Sequence, residues 1–271
     1  MKKLVVGLFC AVFPLFTNAQ TGELGLLIGP SYYIGDINPS KHFYNAQAVV
    51  SAFGRYNWND RFTFRLSFST TNIAASDADS DIADQRNRNL SFRSPLREIA
   101  GVFELNFKPF AINEDRHRFS PYMYGGFSYF RMDPSADING ETVALQPLGT
   151  EGQNTGENGL KPYKLNQLGL PFGVGIKLNF AGRVTLSADW GMRKTYTDYM
   201  DDVSGTYVDP TVLSDLGALL ADRSLNREGI DFQNNKVQRG NSANYDWYVF
   251  SGLSLSVVLF GHNRGCAHFD K

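Results

Sequence analysis

Phe62, Phe64, Leu66 and Phe68 alternate with Arg61, Thr63, Arg65, Ser67 and Ser69. The same beat runs on from Gln167, where Leu168, Leu170, Phe172, Val174, Ile176, Leu178 and Phe180 alternate with Gln167, Gly169, Gly173, Gly175, Lys177 and Asn179. Val184, Leu186, Ala188, Trp190 and Met192 alternate with Thr185, Ser187, Asp189, Gly191 and Arg193. Trp247, Val249, Leu253, Leu255, Val257 and Leu259 share one face of the last such stretch. Successive side chains leave opposite faces of a strand, so a period of two reads as β-structure. Weaker versions span Leu24 to Tyr33, Gln47 to Tyr56, Glu98 to Phe107 and Tyr122 to Arg131. The total is eight strands of roughly 9 to 13 residues, close to what a tilted strand needs to cross a bilayer.

A soluble sandwich also alternates, so the decision rests on which face is clean. In the four clearest strands the apolar face is large and uncharged, while the other is rich in Gly, Ser and charge. A Lys or Arg facing mid-bilayer lipid costs about 2–4 kcal/mol, which keeps an outward face free of charge. Connection lengths agree. Asn57–Asp60 and Ala181–Arg183 are short and Lys108–Phe119 is moderate. Gly35–Asn45, Thr70–Pro95, Asp133–Lys164 and Thr197–Asn244 are long. Short periplasmic turns opposite long extracellular loops characterise outer-membrane barrels. The expected fold is all-β, an eight-stranded antiparallel up-and-down transmembrane β-barrel. Its mean hydropathy of -0.27 and net charge of -1 exclude a bundle of membrane helices and give no support for nucleic-acid binding.

Lys2 and Lys3 precede the apolar run Leu4–Phe16, and Thr17-Asn18-Ala19 follows it. This is the layout of a signal peptide covering residues 1–19. Phe9 is too bulky to precede a lipidated cysteine, and Cys10 lies inside the apolar run, so lipidation is not expected. Residues 20–260 are then the barrel and 261–271 a periplasmic tail. Loss of Cys10 leaves Cys266 as the one thiol, a candidate for a disulfide to a partner.

Arg65, Glu98, Glu104, Lys177, Asp189, Arg193 and Asp246 fall on the lumen side. Eight strands enclose a space just wide enough for side chains, so these charges are expected to pair into a plug. Asp77, Asp79 and Asp81 imitate the start of a calcium loop. Ile82 and Arg88 then stand where glycine and a bidentate carboxylate are needed, so a solvated loop is expected. The four histidines form no metal-binding repeat, and no nucleophile elbow or phosphate loop occurs, so neither an enzyme nor a cofactor protein is expected. In the last long loop, Asp209 and Pro210 open a helix expected over Thr211–Ser224. Leu213, Leu216, Leu219 and Leu220 lie on it at helical spacing, as a lid or a docking face.

The stretch Ser31–Pro39, with Tyr33, Gly35, Asp36, Asn38 and Pro39, is a first signature. The stretch Thr197–Tyr207, with Asp198, Tyr199, Asp202, Ser204 and Gly205, is a second. Arg239-Gly240-Asn241, Asp246-Trp247-Tyr248 and the cysteine tail complete the pattern. Together they resemble the PorG-like outer-membrane barrels of the type IX secretion system in Bacteroidetes. The resemblance implies a structural and assembly role, anchoring a periplasmic ring of PorK-like lipoprotein and PorN-like partners to outer-membrane lipid. It does not imply a translocation channel. The alternative is a small OmpA-like or OmpW-like barrel that binds ligands or surfaces through its extracellular loops.

Overall fold

The structure is a computed structural model and describes residues 21–112, 115–156, 160–180, 182–225 and 237–261. The expected signal peptide, and Cys266 with the expected tail beyond Gly261, lie outside the described residues. Among the described residues no helix is long and apolar enough to cross a membrane, which says nothing of a β-barrel.

Eight long strands close on themselves. They are β1 (Thr21–Ile34), β2 (Gln47–Asn57), β3 (Phe62–Ser76), β4 (Ser91–Asn106), β5 (Phe119–Arg131), β8 (Asn166–Phe180), β9 (Val184–Thr195) and β10 (Trp247–Gly261). Each pairs antiparallel with its neighbour in sequence, and β1 pairs with β10 to complete the ring. Between β5 and β8 a small hairpin, β6 (Ser135–Ile138) and β7 (Glu141–Ala144), branches from β4 at Arg93. The eight expected strands are all present, in the expected up-and-down order.

Leu24, Leu26, Ile28, Leu66, Phe68, Ile99, Phe103, Leu168, Val174, Ile176, Leu253 and Leu255 point outward and are exposed, forming an apolar belt. An exposed belt of this size belongs against hydrocarbon, which identifies the barrel as transmembrane.

The strands run further than the alternation indicated. Thr70–Pro95 reads as a loop, yet β3 continues to Ser76 and β4 begins at Ser91. The reason is an inversion of polarity. Below Thr70, the outward residues of β3 are apolar. Above it, Asn72 faces outward, while Ile73 and Ala75 point inward and are buried. On β4 the outward Ile99 and Phe103 give way to outward Arg93 and Arg97 and inward Leu96 and Phe92. Beyond the bilayer the outside is water and the inside is a packed core, so the pattern changes sides and its signal cancels. That core joins Leu27, Val49, Phe53, Phe130, Phe250 and Tyr248 at the barrel mouth to Met132, Tyr163, Met200 and Leu220 from the long connections.

Candidate functional site

Two polar assemblies occupy the interior, one within the membrane zone and one above it. The lower one is built on inward positions of six strands. Glu104 on β4 is fully buried and receives three cations. Lys177 Nζ lies 2.8 Å from its Oε2, and Arg55 Nε and Arg65 Nε lie 3.2 and 3.1 Å from its Oε1. Arg65 also reaches Asp189 at 3.2 Å, and the Tyr122 hydroxyl donates to the same Asp189 oxygen. Arg65 stacks 4.7 Å from the Tyr124 ring and Lys177 4.5 Å from the Tyr122 ring.

Room for those two tyrosines comes from the Gly-rich inner faces of β8 and β9. A Cβ at Gly175 would sit 2.6 Å from Tyr122 Cζ, and one at Gly191 would collide with the Tyr124 hydroxyl. Higher in the lumen, Arg193 lies 3.4 Å from Glu98, which also accepts from the Tyr248 hydroxyl at 2.5 Å. Glu23 accepts from Asn57 and Ser256. Arg55, Arg65, Lys177 and Arg193 thus face Glu23, Glu98, Glu104 and Asp189, and the charges balance. A void of about 30 Å³ remains between Phe53, Arg65, Tyr124 and Phe250, room for roughly one water.

Six of the seven expected plug residues are in these clusters. Asp246 is not with them: it lies just before β10, in the upper assembly. Arg55, Glu23 and Tyr122 are interior partners that the alternation did not single out. Arg55 could have been found from the inward register Val49, Ser51, Phe53 and Arg55, had β2 shown a stronger outward face.

The floor is also closed. The connection after β4 turns Phe110 inward, where it is buried and its ring sits 5.1 Å from Lys177 Nζ. Its backbone N–H donates to the Asp60 carbonyl at 2.9 Å, tying the connection after β4 to the short turn after β2.

The upper assembly is a cap made by the long connections. Glu151, fully buried, accepts from the backbone N–H groups of Ser204 and Gly205 at 2.9 and 3.0 Å and from Arg239 Nη1 at 2.9 Å. Arg239 also donates to the carbonyls of Asp202 and Ala221. Asp202 holds φ at +65°, a left-handed conformation, and its carboxylate accepts from the Thr150 and Tyr163 hydroxyls at 2.5 and 2.6 Å. Tyr163 stacks on Tyr199 with ring centroids 4.8 Å apart. Asp36 accepts from the Asn241 backbone N–H at 2.9 Å. A Cβ at Gly240 would lie 2.5 Å from that carboxylate, so the close approach requires glycine. Asn38 closes its own turn by donating to the carbonyls of Tyr33 and Lys41.

The Tyr33 hydroxyl lies 2.6 Å from Asp201 and 2.7 Å from Asp246. A phenol has one hydrogen to donate, so the second contact requires a protonated carboxyl. Burial holds the Asp201 and Asp246 carboxyls well above the ordinary range, with the Asp36 charge adding to it at Asp201 and the Asp201 charge at Asp246, in keeping with one shared proton. Burial also lifts Asp198 to about 7, with the Asp36 and Glu151 charges adding to it and a hydrogen bond with Ser204 opposing it. Burial raises Asp202 to about 6 against the pull of Arg239.

The structure therefore draws most of the signature residues into one unit: Tyr33, Gly35, Asp36, Asn38, Asp198, Tyr199, Asp202, Ser204, Gly205, Arg239, Gly240 and Asn241. Two stand apart. Pro39 is exposed, and Trp247 lies on the outer surface against Phe172 and Lys194. Sequence reasoning missed Glu151, which has no neighbouring motif, and Arg88.

Two expectations for this region change. Asp77 is buried, not solvated: Arg88 grips it with contacts of 2.7 and 2.8 Å, and the Leu90 N–H donates to it. The position that failed as a calcium ligand supplies the ion-pair partner instead. The expected helix over Thr211–Ser224 also breaks in two. Asp209 caps a 3-10 turn, Pro210–Val212, and extended backbone at Leu213 interrupts it. Ser214 then caps a seven-residue helix, Asp215–Ala221. Leu220 is 2% exposed and belongs to the core, whereas Leu216 and Leu219 are 38% and 46% exposed. The four leucines do not share one docking face.

No curated protein matches the chain. Several solved outer-membrane barrels are similar to it in structure. The N-terminal β-barrel domain of Pseudomonas aeruginosa OprF is 9% identical, with 89% of this chain and 99% of that one covered and a TM-score of 0.38. Neisserial surface protein A is 12% identical, with 89% and 98% covered and a TM-score of 0.44. Ail, the attachment invasion locus protein of Yersinia pestis, solved with the heparin analogue sucrose octasulfate, is 9% identical, with 89% and 99% covered and a TM-score of 0.41. A protein-family model described as "Domain of unknown function (DUF6089)" matches residues 2–216. That match spans well over half of the sequence, and the chain belongs to this family.

Proposed function

We propose that the protein is an outer-membrane barrel that acts as a closed anchor and presents a fixed cap outside the cell for binding a ligand or a partner surface. One observation carries this reading: described residues from all four long connections, which share one end of the barrel, meet in a buried hydrogen-bonded unit centred on Glu151 and Arg239. Ordering so much chain needs a dedicated core, which a mere linker between strands does not need. A recess of about 560 Å³ opens in this cap beside Asp36, Arg88, Tyr207 and Arg239. Deletion of the gene tests the reading. Binding of cells to protein-coated and glycan-coated surfaces should fall while secretion continues. Unchanged binding overturns it.

A second reading is a structural component of type IX secretion, anchoring PorK-like and PorN-like ring proteins. It is favoured by the convergence of the residues that carry the PorG-like resemblance. In this reading the short-turn end and the tail with Cys266 supply the periplasmic contacts. The same deletion then abolishes cargo export and disperses the ring. On non-reducing gels, Cys266→Ser removes a higher-mass band; absence of that band in the wild type rules out the mixed disulfide.

A further inference from the structure

One row of outward residues crosses four strands of the barrel wall. Thr70 on β3 faces Arg97 on β4, Arg97 faces Arg131 on β5, and Arg131 faces Asn166 on β8. All four are exposed. Two cations therefore stand directly opposite each other on neighbouring strands, flanked by a hydroxyl and an amide. No carboxylate belongs to the row. Neither arginine forms an ion pair or a side-chain hydrogen bond among the described residues, whereas Arg93, four positions above Arg97, meets Asp137 at 3.6 Å.

Like charges directly opposed across an antiparallel pair are destabilising, and side-chain Cβ atoms there are about 4.5–5.5 Å apart. The height of the row explains what relieves the repulsion. The row immediately below is Phe68, Ile99, Tyr129 and Leu168, again register partners, and each is more than half exposed. The row therefore lies one strand step, roughly 6–7 Å, beyond the last apolar belt residues. It is also where the apolar side of β3 and β4 changes from outside to inside. Hydrocarbon ends here and headgroups begin.

We infer that Arg97 and Arg131, with Thr70 and Asn166 beside them, form a binding site for the phosphate group of a lipid headgroup in the leaflet at the long-connection end. Guanidinium forks match phosphate oxygens bidentately, and two of them bracket one anion. Next to a low-dielectric belt such a pair is screened less than at an ordinary surface. Thr70 and Asn166 supply neutral donors at the edges of the row. In an outer membrane the lipid is the phosphorylated glycolipid of the outer leaflet. The assignment of the leaflet rests on the outer-membrane reading above.

The test uses the full chain refolded in neutral detergent, with barrel formation checked by its mobility shift between unheated and boiled samples. Native mass spectrometry compares retention of bisphosphorylated lipid A and of the same lipid stripped of phosphate. The wild type should prefer the phosphorylated form by about tenfold. The double variant Arg97→Gln/Arg131→Gln should lose that preference, while Lys194→Gln, an outward cation elsewhere at the same end, should keep it. Phosphorylated lipid A should also raise the temperature at which the wild-type barrel loses its unheated mobility, but not that of the double variant. Equal retention of the two lipids, an unaffected double variant, or displacement by millimolar inorganic phosphate overturns the proposal. Membrane fractionation of intact cells separates the two claims. Recovery in another compartment defeats the outer-membrane reading, whatever the lipid measurement shows.

Discussion

Glu104 shows how much one side chain carries when it is buried among cations. Removing its charge as Glu104→Gln leaves Arg55, Arg65 and Lys177 with Asp189 as the main remaining counter-charge in their cluster. Breaking a buried ion network from one side costs about 3–5 kcal/mol, because the other charges stay desolvated. The variant should lose its unheated gel mobility at a markedly lower temperature or urea concentration. A midpoint matching the wild type would show that the network is hydrated. Cap carboxyls act in the opposite sense. Asp198 and Asp202 have folded-state values of about 7 and about 6, above the unfolded value near 4. At these two groups the folded cap binds more protons than the unfolded chain across that window, so the stability they contribute is fully present below about pH 4 and is lost as pH rises through about 6 to 7. Carboxyl titration by NMR should find Asp198 near neutrality. Amide exchange at Ser204 and Gly205, corrected for its intrinsic pH dependence, should report easier opening at pH 8 than at pH 5.

Among elements, the short helix of the last long connection separates two kinds of leucine. Leu220 packs into the mouth core, so Leu220→Ala should cost about 2–4 kcal/mol of cap stability. Leu219 faces solvent, and Leu219→Ser should change stability by less than about 0.5 kcal/mol. Protease susceptibility of the cap in intact cells reads both; equal effects would mean that the helix sits differently. Helical spacing placed these leucines on one expected helix but could not say which of them turned inward. That depends on Ser214, which starts the helix later than Asp209 would have done. The β3–β4 hairpin was hidden for a different reason. Alternation keeps one sense only while the outside of the strand is lipid, and above Thr70 the two faces exchange roles.

On the scale of the whole molecule, the barrel is closed three times over: by Phe110 at the floor, by the charge clusters in the lumen and by the cap at the mouth. Planar-bilayer recordings of the refolded chain should therefore show no steady open channel of the kind that porins give, and sustained conductance at neutral pH would contradict the packed lumen. Strand number, antiparallel order, the lipid-facing side and six of the seven interior charges follow from alternation and connection lengths alone. They are local properties, because period two and the cost of a charge in lipid act on each strand separately. Arg55, Glu151 and the place of Asp246 do not follow, and neither does the row formed by Arg97 and Arg131. Those depend on register and closure, which bring together residues far apart in the chain, such as Tyr33 and Asp246 or Arg239 and Glu151. Alternation says which side a residue faces. Only the closed ring says what it meets there.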